Sequence, residues 1–231
     1  MFSIAPSLMC ADLLRMESQV RELERAGARR FHIDIMDGHF VPNLGLNFDL
    51  VRHLKRVTHT ELDLHLMVDS PENYVEQIRA LNVDLVSFHI EATSAPLRLG
   101  RAIKAMGARI GIAVSPSTPI QALQYVLDEF DYVVIMTVEP GFAGQRFIPA
   151  MYDKILAIRK ILDAIRPGID IEVDGNLDVD SSRRCIRCGA TILVGGTSSI
   201  FKPGMDVFSA FTQFQSEIAR TTQQADEVLP T

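Results

Sequence analysis

Four short segments of this sequence carry polar or charged side chains two residues apart. They are His32-Ile33-Asp34, Asp63-Leu64-His65, His89-Ile90-Glu91 and Glu172-Val173-Asp174. In an extended strand, residues i and i+2 point to the same face, so the two polar groups of each pair would project together. Burying such groups is unfavourable unless they are paired or bind a metal. Four similar pairs are therefore difficult to explain as polar residues that merely fill the core.

The residue types in these pairs predict a metal site with acid–base chemistry. Imidazole nitrogen and carboxylate oxygen form a donor set for a divalent transition metal such as Zn, Mn, Fe or Co. The ligands that we predict are His32, Asp34, His65 and Asp174. Residue types alone leave His89 and Glu91 open as alternative ligands.

The elements that would position these pairs alternate along the chain. Apolar runs typical of parallel strands are "FSIAP", "RFHIDI", "ELDLHLMV", "DLVSFHI", "RIGIAV", "DYVVIMTV", "DIEVDG" and "TILVGG". Between them, apolar residues recur at i+3 and i+4, as in amphipathic helices, in Asp12–Ala26, "PENYVEQIRAL", "IQALQYVLDEF" and "PAMYDKILAIRKILDAI". Residues suited to end a helix precede the strands at Gly27, Asn82, Gly107, Gly168 and Gly189.

This alternation predicts an α/β fold, a single-domain (β/α)8 TIM barrel. The chain has 231 residues, which leaves roughly 29 residues for each strand–helix unit and is close to the minimum for this barrel. A doubly wound open sheet is the weaker alternative, because it would usually have fewer strands at this length. No linker divides the sequence, so we expect one domain over residues 1–231, with an ordered barrel to about residue 220 and a polar C-terminal tail.

Glycine-bearing turns follow the last three predicted strands. They are "VEPGFAGQRF", "VDGN" and "VGGTSSIF". Turns after the seventh and eighth strands of such barrels commonly bind phosphate through backbone N–H groups and a short helix. With a metal opposite, these turns suggest a small phosphorylated substrate, and "PGFAGQ" has the composition of a mobile lid.

Composition and charge exclude several other partners. The formal net charge is −6, which gives no reason to expect nucleic acid or an anionic membrane surface. No run reaches about 18 consecutive apolar residues, and "MFSIAPSLMC" lacks a secretory signal pattern, so we expect a cytoplasmic protein. The 3 cysteines do not suggest a disulfide framework, and Cys185 and Cys188 lie in a predicted helix without a second pair at zinc-finger spacing.

Long motifs in this sequence resemble the ribulose-phosphate 3-epimerase family. They run in order through "IAPSLMCADL", "FHIDIMDGHFVPN", "LDLHLMV", "MTVEPGFAGQRFI", "IEVDGN" and "LVGGTSSIF" and so cover almost the whole chain. The resemblance implies a metal-dependent barrel of the ribulose-phosphate-binding type that inverts C3 of a ketose phosphate. Barrels of this class commonly associate, so we also expect a homo-oligomer, with no patch that fixes its size.

The resemblance also assigns roles to individual residues. It implies metal ligands His32, Asp34, His65 and Asp174, with Asp34 and Asp174 as the two acid–base groups. The implied substrate contacts, which include His65 and Asp174, are further Ser7, Met36, Met67, Met136, Gly141, Phe142, Ala143, Gly144, Gly175, Asn176, Gly196, Thr197 and Ser198. In this scheme the methionines line the reacting carbon, while the glycine-bearing turns hold the substrate and its phosphate.

Two departures from the family pattern bear on the substrate. Members often have Asp-Gly-Gly where this chain has Asp174-Gly175-Asn176, and ribulose-phosphate enzymes usually have a "GSAIF"-like turn where this chain has "GTSSIF". Together with "PSLMCADLL" and "MTVEPGFAGQRFIP", these features look closer to the allulose-6-phosphate 3-epimerase branch. The sequence therefore ranks D-allulose 6-phosphate first, with epimerisation of D-ribulose 5-phosphate and D-xylulose 5-phosphate as the alternative.

Two further functions compete with an epimerase. A metal-free barrel enzyme of the orotidine-phosphate decarboxylase type would need an Asp/Lys array, but strands two and three of this sequence have no lysine at their ends. A non-catalytic sugar-phosphate sensor would not need both Asp34 and Asp174 together with a full ligand set. The resemblance instead implies two-base proton transfer through a cis-enediolate, whose negative charge a divalent metal would stabilise.

Overall fold

Eight parallel strands form the centre of the protein, as the sequence predicts. The computed structural model describes residues 2–226, with the side chains of residues 2–220. The strands are β1 (Ser3–Pro6), β2 (Arg30–Met36), β3 (Glu61–Met67), β4 (Leu85–His89), β5 (Arg109–Val114), β6 (Tyr132–Met136), β7 (Asp170–Asp174) and β8 (Ile192–Gly195). Nearly every strand residue is buried, because the strands are covered by helices outside and by packed side chains inside.

The strands close into a barrel. Their order is β1-β8-β7-β6-β5-β4-β3-β2, with parallel pairing throughout, and a parallel bridge between Ser7 and His32 joins the two ends. Closure removes the sheet edges and turns one face of every strand inward. The fold is therefore a single-domain TIM barrel, and the doubly wound alternative is wrong.

Helices follow seven of the strands and form the outer layer. They are α1 (Met16–Arg25), α2 (Phe48–Val57), α3 (Val75–Leu81), α4 (Pro96–Lys104), α5 (Met151–Ile165), α6 (Val179–Arg187) and α7 (Val207–Asp226). Helix α7 includes the first residues of the predicted polar tail, and residues 227–231 lie outside the described part of the chain. None of the helices within residues 2–226 is long and apolar enough to span a membrane.

The crossover from β5 to β6 differs from the prediction. The segment "IQALQYVLDEF" forms two 3₁₀ turns, Ile120–Leu123 and Leu127–Glu129, rather than an α-helix. Its backbone bonds join residues three apart, such as Val126 N–H to the Leu123 carbonyl. A 3₁₀ turn rises about 2.0 Å per residue against about 1.5 Å in an α-helix, so this segment spans a longer distance than an α-helix with the same number of residues. Apolar spacing does not separate the two forms over so few residues.

The predicted helix ends are confirmed by backbone geometry. All five residues that the sequence marks as helix ends have positive φ, from 47° at Asn82 to 107° at Gly189. Asn82 is the C-cap of α3 and adopts the left-handed conformation that asparagine tolerates better than most residues. These ends turn the chain from each helix into the following strand.

The apolar core lies between the barrel and the helices. On β2, Phe31, Ile33 and Ile35 point outward into this core, whereas His32 and Asp34 point into the barrel. The alternation of strand side chains therefore separates a conventional hydrophobic layer from a polar interior. That interior leads to the carboxyl ends of the strands, where the candidate site lies.

Candidate metal and active site

Parallel register brings the predicted polar residues to common heights in the barrel. On adjacent strands, His32 pairs with Asp63, and Asp34 pairs with His65. Strand β7 lies across the barrel from β3 and contributes Asp174 at its carboxyl end. Two-residue alternation thus places one polar layer inside the barrel and a second layer at its mouth.

The structure brings the four predicted metal ligands together. One nitrogen or oxygen from each of His32, Asp34, His65 and Asp174 lies within 4.8 Å of the others. Oδ1 of Asp34 is 3.2 Å from Nε2 of His32 and 3.3 Å from Nδ1 of His65. Oδ2 of Asp174 is 3.7 Å and 3.8 Å from the same two nitrogens. Two imidazoles and two carboxylates therefore converge on one point.

The electrostatics of the cluster favour a cation at that point. Burial alone would lower the pKa of His32, but the Asp34 carboxylate raises that pKa well above its usual value. Burial would likewise raise the pKa of Asp34, yet His32 and His65 hold it well below its usual range. Burial raises the pKa of Asp174 to about 7, with the Asp34 charge adding to the rise. The carboxylates thus attract positive charge in a buried setting.

The donor atoms fit a divalent metal ion. Nδ1 of His65 is fully buried and faces the carboxylates, and it makes no hydrogen bond of good geometry although Oδ1 of Asp34 lies 3.3 Å away. Buried polar atoms are normally satisfied, so an imidazole nitrogen left free in this position suits a ligand that accepts its lone pair. Two nitrogens and two carboxylate oxygens match the donor preferences of Zn and neighbouring transition metals, without choosing among them.

A second charged cluster lies beneath the first. Nδ1 of His32 is 2.8 Å from Oε1 of Glu172, whose other oxygen is 3.4 Å from the Arg30 guanidinium. Arg30 also lies 3.7 Å from Asp63, which accepts a 2.8 Å hydrogen bond from the Tyr132 hydroxyl. These groups are almost completely buried, and the single guanidinium lies close to both carboxylates, of which Glu172 has its pKa raised to about 7 by burial. Glu172 also orients His32 toward the upper cluster.

His89 and Glu91 lie behind the cluster rather than in it. Nε2 of His89 is 3.0 Å from Nε2 of His65, on the side of that imidazole that faces away from Asp34. Nδ1 of His89 is 3.2 Å from Glu91. Burial lowers the pKa of His89 to about 4, which makes its imidazole neutral at physiological pH. Of the ligand sets left open by the sequence, the geometry favours the one without these two residues.

A pocket opens above the cluster at the barrel mouth. Most of the predicted substrate contacts line it, namely Ser7, Met36, Met67, Met136, Gly141, Phe142, Ala143, Gly144, Asp174, Gly175, Asn176, Gly196 and Thr197. The predicted acid–base group Asp34 lines it too, whereas the predicted contact His65 lies in the cluster below and not in the pocket wall. Met36 and Met67 lie side by side in the register of β2 and β3, and Met136 pairs with Asp174. The pocket therefore has a carboxylate floor and an apolar methionine wall.

Ser7 and Ser198 have partners within the protein. The Ser7 hydroxyl donates a 2.9 Å hydrogen bond to Oδ2 of Asp34, so it touches a predicted acid–base group as well as the pocket. The Ser198 hydroxyl donates to the side-chain oxygen of Asn176, which ties the turn after β8 to the turn after β7. Ser198 faces a neighbouring surface groove with Lys202 and Arg183 rather than the main pocket.

The departure at Asn176 has a conformational explanation. Gly175 and Asn176 have φ of 129° and 50°, so both occupy backbone regions that favour glycine. Asparagine is among the few other residues that tolerate the left-handed region. Asn176 can therefore keep the shape of a Gly-Gly turn while adding a side chain beside the pocket.

The loop after β6 covers one side of the pocket. Gly141 and Gly144 have φ of 119° and 79° on either side of Phe142, which is 49% exposed. The Gln145 amide donates to the carbonyls of Glu139 and Phe142 and closes the loop on itself. Asn43 donates a 2.7 Å hydrogen bond to the Gly141 carbonyl and joins this loop to the one after β2.

Some pocket residues are absent from the sequence prediction. Met9, Cys10, Val138, Pro140 and Val194 also line the pocket. Burial raises the pKa of the Cys10 thiol to about 11, which agrees with a thiol that has no nucleophilic role. These residues are apolar or uncharged, so their types gave no chemical signal, and only their positions at or just beyond the strand ends could have indicated them.

The fold and the site together define a class of protein. It is a TIM barrel whose mouth holds two histidines and two aspartates that could bind a metal ion. Solved structures with the same fold include KGPDC from Streptococcus mutans, with a TM-score of 0.71, 15% identity, and coverage of 95% of this chain and 98% of that one. Another is orotidine 5′-phosphate decarboxylase from Pyrococcus horikoshii, with a TM-score of 0.63, 20% identity, and coverage of 94% and 99%. At such identity these similarities show the fold alone.

Sequence comparisons identify the family. Residues 3–201 match the model of the Ribulose-phosphate 3 epimerase family. Ribulose-phosphate 3-epimerase of Methanocaldococcus jannaschii is 37% identical over 87% of this chain and 85% of its own. The enzymes of that name from Mycobacterium tuberculosis and Bacillus subtilis are 40% and 36% identical, over 84% and 86% of this chain and 84% and 92% of their own. The chain belongs to the ribulose-phosphate 3-epimerase family.

Proposed function

We propose that this protein epimerises D-ribulose 5-phosphate and D-xylulose 5-phosphate at C3. The observation that carries the proposal is the convergence of Asp34 and Asp174 with two imidazoles at the floor of the pocket. Family membership supports it, since the curated relatives described above carry the name ribulose-phosphate 3-epimerase. The same relatives favour the pentulose alternative over the hexulose that the sequence ranks first.

Epimerisation requires a proton to leave one face of C3 and another to return to the opposite face. Asp34 and Asp174 stand on β2 and β7, and both face the pocket. In this proposal one carboxylate is ionised and removes the proton, while the other is protonated and returns one, and their roles exchange with direction. Ser7, which donates to Asp34, would hold that carboxylate in place.

A cation bound by the four predicted ligands would lie beside these two carboxylates. A divalent metal held by the four predicted ligands would stabilise the negative charge that develops on the substrate oxygens at C2 and C3. Met36, Met67 and Met136 would pack against the planar reacting carbons without offering a proton of their own. The turns at Gly175, Gly196 and their neighbours would present backbone N–H groups to the phosphate.

A six-carbon substrate is the second candidate. The motifs "PSLMCADLL", "MTVEPGFAGQRFIP" and "GTSSIF" favour D-allulose 6-phosphate. The decisive measurement compares kcat/KM for ribulose 5-phosphate and allulose 6-phosphate on one metal-loaded preparation. A higher value for ribulose 5-phosphate supports the pentulose proposal, and a higher value for allulose 6-phosphate overturns it in favour of the hexulose. A cytoplasmic location and self-association stay predictions.

The two-carboxylate scheme is tested with Asp34→Asn and Asp174→Asn. We expect each to reduce turnover by well over about 10²-fold. Deuterium from solvent should appear at C3 of the product made by the wild-type protein. The matched control is Asp49→Asn, because the Asp49 side chain is 75% exposed on α2. Near-wild-type activity of both site variants with metal retained would contradict the scheme, and full activity after exhaustive chelation would contradict the metal.

A further inference from the structure

His65 can bind a metal through Nδ1 only if its hydrogen is on the other ring nitrogen. Nδ1 of His65 faces Asp34 and Asp174, and Nε2 faces away from them, 3.0 Å from Nε2 of His89. Both imidazoles are fully buried. Two neutral imidazole nitrogens this close share one hydrogen, so one ring donates and the other accepts.

Glu91 decides which ring donates. Oε2 of Glu91 lies 3.2 Å from Nδ1 of His89, and an ionised carboxylate only accepts hydrogen bonds. Nδ1 of His89 therefore carries the hydrogen, which leaves Nε2 of the same ring as an acceptor. Nε2 of His65 must then be the donor. Its Nδ1 makes no hydrogen bond of good geometry to the nearest carboxylate oxygen, Oδ1 of Asp34 at 3.3 Å, so it keeps its lone pair on that side.

The Glu91 carboxylate is itself held in place. Its Oε1 accepts a 2.9 Å hydrogen bond from the backbone N–H of Ser115, in the loop after β5. Lys154 on α5 fixes that loop, because its ammonium donates to the carbonyls of Ser115, Pro116 and Thr118 at 2.7, 3.1 and 2.6 Å. The Ser115 hydroxyl lies 3.3 Å from Nδ1 of His89 and can accept from the same hydrogen.

We propose that His89 and Glu91 are positioning residues that fix His65 as its Nε2–H tautomer and so prepare its Nδ1 to bind the metal. The chain of contacts runs from Glu91 through His89 to His65 and ends at the cluster. Its counterpart on the other imidazole is direct, since Glu172 lies 2.8 Å from Nδ1 of His32. Carboxylates behind metal-binding histidines commonly set ring orientation and tautomer in this way.

The proposal rests on the metal site proposed above, and its test does not depend on turnover. The sequence contains 6 histidines, so long-range ¹⁵N–¹H NMR of metal-free, histidine-labelled protein gives few signals. We expect the Nε2–H tautomer at His65 and the Nδ1–H tautomer at His89. The signals of His89 are assigned by their absence from the spectrum of the His89→Phe variant. A wild-type spectrum with hydrogen on Nδ1 of His65 overturns the proposal without any variant having to fold.

Zinc affinity provides the second measurement. Glu91→Ala and His89→Phe should weaken zinc binding by about 10- to 100-fold in competition with a chromophoric chelator. Glu76→Ala is the control, because the Glu76 side chain is 78% exposed on α3. Wild-type zinc affinity in folded His89→Phe protein overturns the proposal. Expected tautomers and zinc affinities in a protein inactive on both sugar phosphates would refute the proposed function and leave this inference standing.

Discussion

The substitution Tyr132→Phe removes one buried hydroxyl and tests the second charged cluster, which lies beneath the candidate metal site. Tyr132 lies on β6 with its ring inside the barrel and is 2% exposed. Its hydroxyl donates a 2.8 Å hydrogen bond to Oδ1 of Asp63, a fully buried carboxylate. The substitution keeps the ring, so apolar burial is unchanged and the lost hydrogen bond is the main difference.

The expected loss follows from the charge on the acceptor. A hydrogen bond to a charged group contributes about 1.5–3 kcal/mol, against about 0.5–1.5 kcal/mol for a neutral pair. We therefore expect Tyr132→Phe to lower the free energy of unfolding by about 1.5–3 kcal/mol at pH 7. In an Asp63→Asn background the acceptor is uncharged, and the same substitution should lower that free energy by only about 0.5–1.5 kcal/mol.

Equilibrium unfolding in urea, followed by circular dichroism, measures all four proteins of this double-mutant cycle. Tyr125→Phe is the matched control, because Tyr125 is 85% exposed, and it should change the free energy of unfolding by no more than about 0.5 kcal/mol. If Tyr132→Phe is as stable as this control, the buried bond does not stabilise the fold. If Tyr132→Phe lowers the free energy of unfolding equally in the wild-type and Asp63→Asn proteins, the charge on Asp63 is not the cause of the loss.

Three further substitutions test separate parts of the structure. Asp178 caps α6 through the Ser181 backbone, so Asp178→Ala should lower the free energy of unfolding by about 1 kcal/mol in urea, with exposed Asp180→Ala as control. Gly175→Ala should reduce activity and stability, because its φ is 129° and a Cβ would lie 2.7 Å from a neighbouring hydroxyl oxygen. Burial would raise the pKa of Asp131, but the Ile110 N–H and Lys104 lower it. Its stabilisation is thus present above the unfolded pKa of about 4 and is lost as pH falls through the folded pKa, so Asp131→Asn should destabilise more at pH 7 than at pH 3.

The strands and the four converging ligands could be predicted because both depend on local alternation. In a parallel barrel, the two-residue period fixes which side chains face inward, and the carboxyl ends of all strands meet at one mouth. These two rules place His32, Asp34, His65 and Asp174 at the mouth, although they leave His89 and Glu91 open as further ligands. The structure brings them together without any contribution from long loops, whose shape the sequence does not determine.

The same rules turn His89 inward, but they could not place Glu91. Strand β4 ends at His89, and Glu91 lies in the 3₁₀ segment Ile90–Ala92. Beyond a strand end the two-residue period no longer applies, so Glu91 turns to the far nitrogen of His89 instead of entering the cluster. The β5–β6 crossover shows a similar limit, because its apolar spacing fits an α-helix and a 3₁₀ turn about equally well.

The lower and upper polar layers differ in where their positive charge comes from. Arg30 lies two residues before His32 and occupies the same face of β2, so its guanidinium places positive charge beside Asp63 and Glu172 from within the chain. The residues that line the pocket above, within the described part of the chain, include Asp34 and Asp174 but no lysine or arginine. Among the residues that converge with the upper carboxylates, the two imidazoles are the groups that can carry positive charge, and one of them, His65, has its pKa lowered by burial. Two ionised carboxylates in a buried site need positive charge nearby, so the upper pair, which has no guanidinium beside it, is suited to an external cation.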